Sequence, residues 1–219
     1  MSGLFVTIEG IEGAGKSTQQ QRLAEALRRA GRAVVETREP GGRGRLAASL
    51  RSLLKDPDIW RGLRLAEVWL YAAARAHHVE TVIAPALETG AVVVCDRFAD
   101  STRAYQGYGR GRPLDLIEAL HALEPLRLVP HRTVLLDVDP AVGLARARAR
   151  GTADAAGYDD ASRAFFERVR RGFLEIAARE PDRVRVVDGA RDEAAVHRDV
   201  VAALGDLVSG LAPVEAPDR

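Results

Sequence analysis

The sequence predicts an α/β fold, a parallel sheet with helices on both faces, and three observations lead there. Five short β-branched runs recur at residues 4–8, 33–37, 91–95, 133–137 and 184–187. Most are near-continuous apolar stretches, the pattern of strands covered on both faces. Helical patterns separate them, and strands alternating with helices build βαβ units. A glycine-rich turn joins the first run to the first helix.

Each element follows in order. The first helix is expected over 16–30, closed by Gly31, a residue suited to the left-handed position after a helix. The second is expected over 46–54. A third, over 63–89, ends at Gly90; Pro85 inside it has no N–H to donate and is expected to kink or divide it. Patterns at 113–123, 141–149, 162–179 and 193–208 complete the helices. Glu36 and Arg185 interrupt the second and fifth strands, making them the less apolar pair. Two stretches fit neither period. Residues 151–160 are small, polar and glycine-containing and read as a mobile loop; 210–219, with Pro213 and Pro217, read as a flexible C-terminal tail. With no internal repeat, 1–209 reads as one domain.

Composition narrows the function. A chain of 219 residues buries a full core, and 47% apolar with 29% charged residues is globular composition. Net charge is +1, from 32 basic and 31 acidic residues, which excludes a global field drawing the chain onto nucleic acid or an acidic membrane. The basic residues are all arginine except Lys16 and Lys55. Cys95 is the single cysteine, so no intrachain disulfide forms; it reads as a buried core thiol. No basic and apolar leader opens the sequence, and no apolar run approaches the roughly 18 residues of a membrane span. No Cys/His cluster has zinc-ligand spacing. A cytoplasmic protein is the expectation.

The turn reads Gly10-Ile11-Glu12-Gly13-Ala14-Gly15-Lys16-Ser17-Thr18, which fits G-x-x-x-x-G-K-[ST] with strand before and helix after. Glycines let the backbone aim successive N–H groups at phosphate oxygens, and the helix adds its positive N-terminal end. Lys16 is expected to reach the β- and γ-phosphates of a nucleoside triphosphate, and Ser17 to offer its hydroxyl to magnesium. The bland alternative is a turn that binds nothing.

The third strand delivers Asp96 and Arg97 to the carboxyl edge, where open parallel sheets bind ligands. The acid suits magnesium or its water; the arginine suits a phosphate, unless both are a surface pair. Tyr71 and Arg75, four apart, share a helix face: either a core ring beside a solvated arginine, or a stacking platform and edge reader for a nucleobase. Arg146, Arg148 and Arg150 lead into the expected loop, either as a solvated basic helix end or as a lid, about 148–162, that lays guanidinium groups on a transferring phosphate.

Together these residues resemble the thymidylate kinase family over about residues 3–208. The motifs are 9–18, Thr37-Arg38-Glu39-Pro40-Gly41-Gly42, Tyr71 with Arg75, the stretch from Asp96 to Gly111, and Leu135-Leu136-Asp137-Val138-Asp139-Pro140. The stretch from Asp96 to Gly111 is the most specific. The resemblance implies a three-layer P-loop NTPase fold with a five-stranded parallel sheet, transfer of the ATP γ-phosphate to dTMP with magnesium, and a homodimer. It implies that Arg97 holds the acceptor phosphate, aided by Arg38 and Arg51, and that Arg75 bonds the thymine edge while Tyr71 stacks. Ser101, Thr102 and Gln106 would line the base and sugar pocket. Tyr105 would disfavour ribose, Glu12 would approach the sugar 3′-OH, and Arg146 and Arg191 would lie with the donor nucleotide. Two departures stand out: the family usually has phenylalanine where Tyr71 stands, and 151–160 contain no arginine, leaving Arg148, Arg150 and Arg163 as lid candidates. The readings that compete are a kinase for another nucleoside monophosphate or a deoxynucleoside, a regulatory NTPase, and a non-catalytic nucleotide-binding protein.

Overall fold

The structure, a computed structural model, describes residues 3–56, 65–150 and 160–214. Its sheet is built from β1 (Leu4–Glu9), β2 (Val34–Arg38), β3 (Val92–Asp96), β4 (Arg132–Asp137) and β5 (Val184–Asp188), in the order β2-β3-β1-β4-β5. Every pairing is parallel, with Ile8 opposite Asp96 and Asp137 opposite Asp188. Central β1 and β3 are almost wholly buried, whereas edge strand β2 is only half covered, which explains its interrupting Glu36. From β1 the chain moves first to one side and then to the other. The crevice at this reversal opens at the carboxyl end of β1, where the glycine-rich turn lies.

Helix α1 (Lys16–Arg29) lies against the sheet through Leu23 and Leu27, both fully buried. Each such leucine contributes about 1.5–3 kcal/mol by leaving water. The same face carries Gln20, whose amide donates to Thr37 O and Val94 O, tying α1 to β2 and β3. Helix α2 (Gly44–Leu54) packs on α3 (Ala66–His78). The helix expected over 63–89 is divided near Pro85: α3 passes into a π-helical turn, Val79–Ile83, and a short α4 (Ala84–Glu88) that carries the proline in its first turn.

Sequence periodicity missed α5 (Ala99–Thr102) and the π-helical segment Arg103–Gly109 that continues it. Packing sets this segment. A Cβ on Gly109 would stand 2.7 Å from Phe165 and Val169, and one on Gly107 2.4 Å from Leu114. Arg183 grips Asp100 at 2.7 and 3.0 Å, fixing α5 to the sheet. The chain continues through α6 (Leu114–His121), α7 (Pro140–Ala149), α8 (Asp160–Arg179) and α9 (Glu193–Ala202).

Two expectations change, and a third falls almost wholly outside the described residues. Of the loop expected over 151–160, only Asp160 is described, and it opens α8. Helix α9 stops at Ala202 rather than 208, and the chain goes on in turns. The tail expected from Gly210 is held down as far as it is described: Val214 is buried, its N–H donates to His197 at 3.1 Å, and its carbonyl accepts from Arg22.

Candidate active site

The site grows from the turn after β1. Gly15 takes φ 92° and leads into α1, so the turn closes over the helix N-terminus. Gly13, at φ 75°, has no room for a side chain, since a Cβ would stand 1.8 Å from the Gly143 carbonyl oxygen on α7. Lys16 bends back across the turn and donates to Ile11 O at 2.8 Å and Gly10 O at 3.1 Å. Burial, and then the positive charge of Arg97, push its pKa down to about 8.

On one side of this turn lies a pocket of about 180 Å³. It gathers Gly13, Ala14, Gly15 and Thr18 with Arg146, Arg150 and Arg191, all but one of the residues expected around the donor's phosphates and base apart from Lys16 and Ser17. Arg146 is anchored by Gly189 O at 2.7 Å and Ala190 O at 3.0 Å; Arg191 pairs with Asp199. Arg148 is exposed, and Arg163 pairs with Glu167 at 3.1 Å. Gly10 is the one left outside this lining; it forms the floor beneath Lys16.

Ser17 Oγ donates to Asp96 Oδ2 at 2.9 Å, bringing the two expected magnesium ligands together. The second oxygen, Oδ1, is buried and has no hydrogen-bond partner among the described residues. A hydroxyl and an unsatisfied carboxylate oxygen are hard donors that fit a magnesium ion, which takes one or two protein oxygens beside phosphates and water.

On the other side lies a cleft of about 310 Å³. Glu12, Tyr71, Arg75, Arg97, Ser101, Thr102, Tyr105 and Gln106 all line it. Arg97 holds a left-handed backbone, φ 69°, rare for a bulky residue and costing about 1–3 kcal/mol. The strain directs its fork inward, where it donates to Gly10 O (3.1 Å), Ser101 Oγ (3.2 Å) and Glu12 Oε1 (3.1 Å). The guanidinium also lies over the Tyr105 ring, 4.8 Å from its centroid, and the Tyr105 hydroxyl donates to Glu12 Oε2 at 2.6 Å.

Arg75 is no solvated residue. It is 2% exposed and donates to Glu39 (2.9 Å), Thr102 Oγ1 (2.7 Å), Phe98 O (3.2 Å) and His121 Nε2 (2.8 Å). Tyr71 is half-buried at the wall, and burial followed by Glu67 pushes its hydroxyl up to about 12. Gln106 donates to buried Glu67 at 2.7 Å.

A lysine-bearing glycine-rich turn with an arginine-lined pocket on one side and an aromatic, arginine-lined cleft on the other can hold two phosphates for transfer between them. Comparison with known proteins identifies the family. The thymidylate kinase family model matches residues 8–200. The chain belongs to the thymidylate kinase family. It is similar to the thymidylate kinase of Solidesulfovibrio magneticus, 50% identical over 94% of this chain and 100% of that one. It is also similar to that of Deinococcus radiodurans, 48% identical over 93% and 97%. A crystal structure of thymidylate kinase from Ehrlichia chaffeensis superposes with a TM-score of 0.71 at 36% identity, covering 93% of this chain and 99% of that one. Its fold is thus the five-stranded, all-parallel sheet flanked by helices of a P-loop enzyme.

Within this family member, two residues expected at the acceptor phosphate stay outside the cleft of about 310 Å³. Arg38 ends β2, exposed, and Arg51 is half-buried on α2. They sit near enough that Arg38, after burial, lowers the Arg51 pKa. Sequence reasoning gave no role to Glu9, Glu39, His121, Arg110, Phe165 or Phe166, although all but Glu9 and His121 line the cleft. Glu9 is the one with a sequence signal, an acid ending an otherwise apolar strand. Fully buried, it accepts from Phe98 N–H (2.7 Å), Ser101 N–H (3.2 Å) and Ser101 Oγ (2.6 Å), holding the turn that carries Arg97. Burial and then Asp100 raise its pKa to about 7. His121 accepts from Arg75 and is pushed down to about 2 by burial, then Arg75 and Arg103, so it stays neutral.

Proposed function

We propose that this protein phosphorylates dTMP to dTDP with the γ-phosphate of ATP. The observation that carries the reading is the shared Gly10 carbonyl, which accepts from Lys16 on the donor side and from Arg97 on the acceptor side. A donor phosphate on Lys16 and an acceptor phosphate on Arg97 would therefore meet over one backbone oxygen. Such a transfer needs alignment and charge neutralisation more than covalent help. The acceptor phosphate is already an anion, so no general base is required. Ser17 and Asp96 would hold magnesium, which supplies positive charge to the phosphate oxygens.

The remaining side chains position the nucleotides. Arg97 would exchange its contacts with Gly10 and Glu12 for the dTMP phosphate, with Arg38 and Arg51 assisting from outside the cleft. Glu12 would accept from the sugar 3′-OH. Tyr105 would fill the space a 2′-OH needs. Tyr71 would stack on thymine, Arg75 would bond its edge, and Ser101, Thr102 and Gln106 would line the pocket. Arg146 and Arg191 would flank the adenine, and Arg150 would reach the γ-phosphate. We read the chain as one catalytic domain acting as a homodimer in the cytoplasm. Among the described residues no helix is long and apolar enough to cross a membrane.

The test is ADP release with ATP and magnesium against a panel of nucleoside monophosphates. Strong turnover with dTMP, less with dUMP and almost none with AMP, GMP or CMP is expected. Preference for any other acceptor overturns the substrate assignment.

A further inference from the structure

Gln19 lies on the first turn of α1 and is only 2% exposed. Its Nε2 donates to the backbone carbonyl of Glu193 at 3.0 Å. A carbonyl only accepts, so the amide cannot be turned round: nitrogen faces Glu193 and Oε1 faces away. Oε1 is buried and has no hydrogen-bond partner among the described residues. Gln19 lines the pocket beside the phosphate loop, at the end where Gly189, Arg191, Glu193 and Val196 form the wall. The nearby carbonyls of Gly189 and Ala190 already accept from Arg146. A buried acceptor without a donor is costly, and Gln19 lines a pocket whose occupant can supply one.

We propose that Gln19 selects the base of the phosphate donor, its Oε1 accepting from the exocyclic 6-amino group of adenine. This rests on the reading of that pocket as the donor-nucleotide site. A 6-oxo purine sets an acceptor against an acceptor, losing the bond and adding repulsion. Gln19 is a specificity-determining residue, distinct from the groups that hold the phosphates.

Calorimetric titration of the full chain with magnesium and the non-hydrolysable β,γ-imido triphosphates of adenosine and inosine tests it. Wild type is expected to bind the adenosine analogue about tenfold or more tightly than the inosine one. Gln19→Met, similar in length but without the amide, is expected to weaken the adenosine analogue alone, bringing the ratio to about one. A persisting ratio in the folded variant overturns the assignment. An equal loss for both analogues also overturns it, since that result puts a sugar hydroxyl or general packing at Oε1. Wild type alone gives a second test that needs no variant: the purine analogue lacking any 6-substituent must also bind about tenfold more weakly than adenosine's, and equal binding overturns the proposal. If wild type binds none of the three, the donor-site reading itself fails and the proposal falls with it; binding without discrimination sinks Gln19 alone.

Discussion

Lys16 and Arg97 donate to the same oxygen, the carbonyl of Gly10, each at 3.1 Å. Two cations on different elements, α1 and the turn after β3, are thereby held together where the sheet topology reverses. Like charges so close are unfavourable, and Arg97 contributes, after burial, to the lowered pKa of Lys16. The arrangement stores a demand for negative charge that two phosphates would meet.

Lys16 is expected to set the alkaline limb of the pH profile. A lysine lowered from 10.5 to about 8 is charged below that pH and neutral above it. In the free enzyme kcat/KM for ATP should therefore fall as pH rises through about 8. Bound phosphates favour the ammonium, so kcat should stay level to higher pH. Lys16→Ala should cut turnover by about 10³-fold with the melting temperature nearly unchanged. Steady-state kinetics across pH 6–10, with thermal melts, check both outcomes; near wild-type turnover contradicts the role.

Tyr105 combines a ring and a hydroxyl with separable effects. Tyr105→Phe removes the 2.6 Å bond to Glu12 but keeps the ring. It should raise KM for dTMP several-fold while preserving discrimination against the ribonucleotide. Tyr105→Ala should lose that discrimination as well. The ratio of kcat/KM for dTMP to that for its ribose analogue, measured in both variants, distinguishes the two jobs.

Glu9 should make stability depend on pH in the direction opposite to a paired carboxylate. Its native pKa, about 7 against an ordinary 4.5, means the folded protein binds the proton more tightly. Stability from this group is therefore lost as pH rises from about 4.5 to about 7 and is constant above. The full effect is up to about 3 kcal/mol at about 1.4 kcal/mol per unit. Glu9→Gln should remove that part of the slope, since a neutral amide can still accept from Phe98 N–H. Urea unfolding of both proteins at pH 5 and pH 8 measures it; parallel slopes contradict the assignment.

How far the sequence reached depended on how local each feature is. The phosphate turn was legible because its chemistry is contiguous, from Gly10 to Thr18, with its strand and helix adjoining. Buried strands β1, β3 and β4 announced themselves by near-continuous apolar runs. The segment from Ala99 to Gly109 shows no helical period because Gly107 and Gly109 are fixed by Leu114, Phe165 and Val169, contacts that only the folded chain makes. For Arg75 the sequence left a solvated arginine and a base-edge reader both open, because its partners Glu39 and His121 lie 36 and 46 positions away. The docking of Val214 likewise needs Arg22 and His197, residues on helices that composition near the C-terminus does not reveal.

The most direct test of the account follows the phosphoryl group itself. ATP labelled in its γ-phosphate, incubated with the protein, magnesium and dTMP, should pass its label into dTDP, with negligible label released when dTMP is omitted. Label recovered as inorganic phosphate whether or not dTMP is present would contradict the account and make the protein a hydrolase.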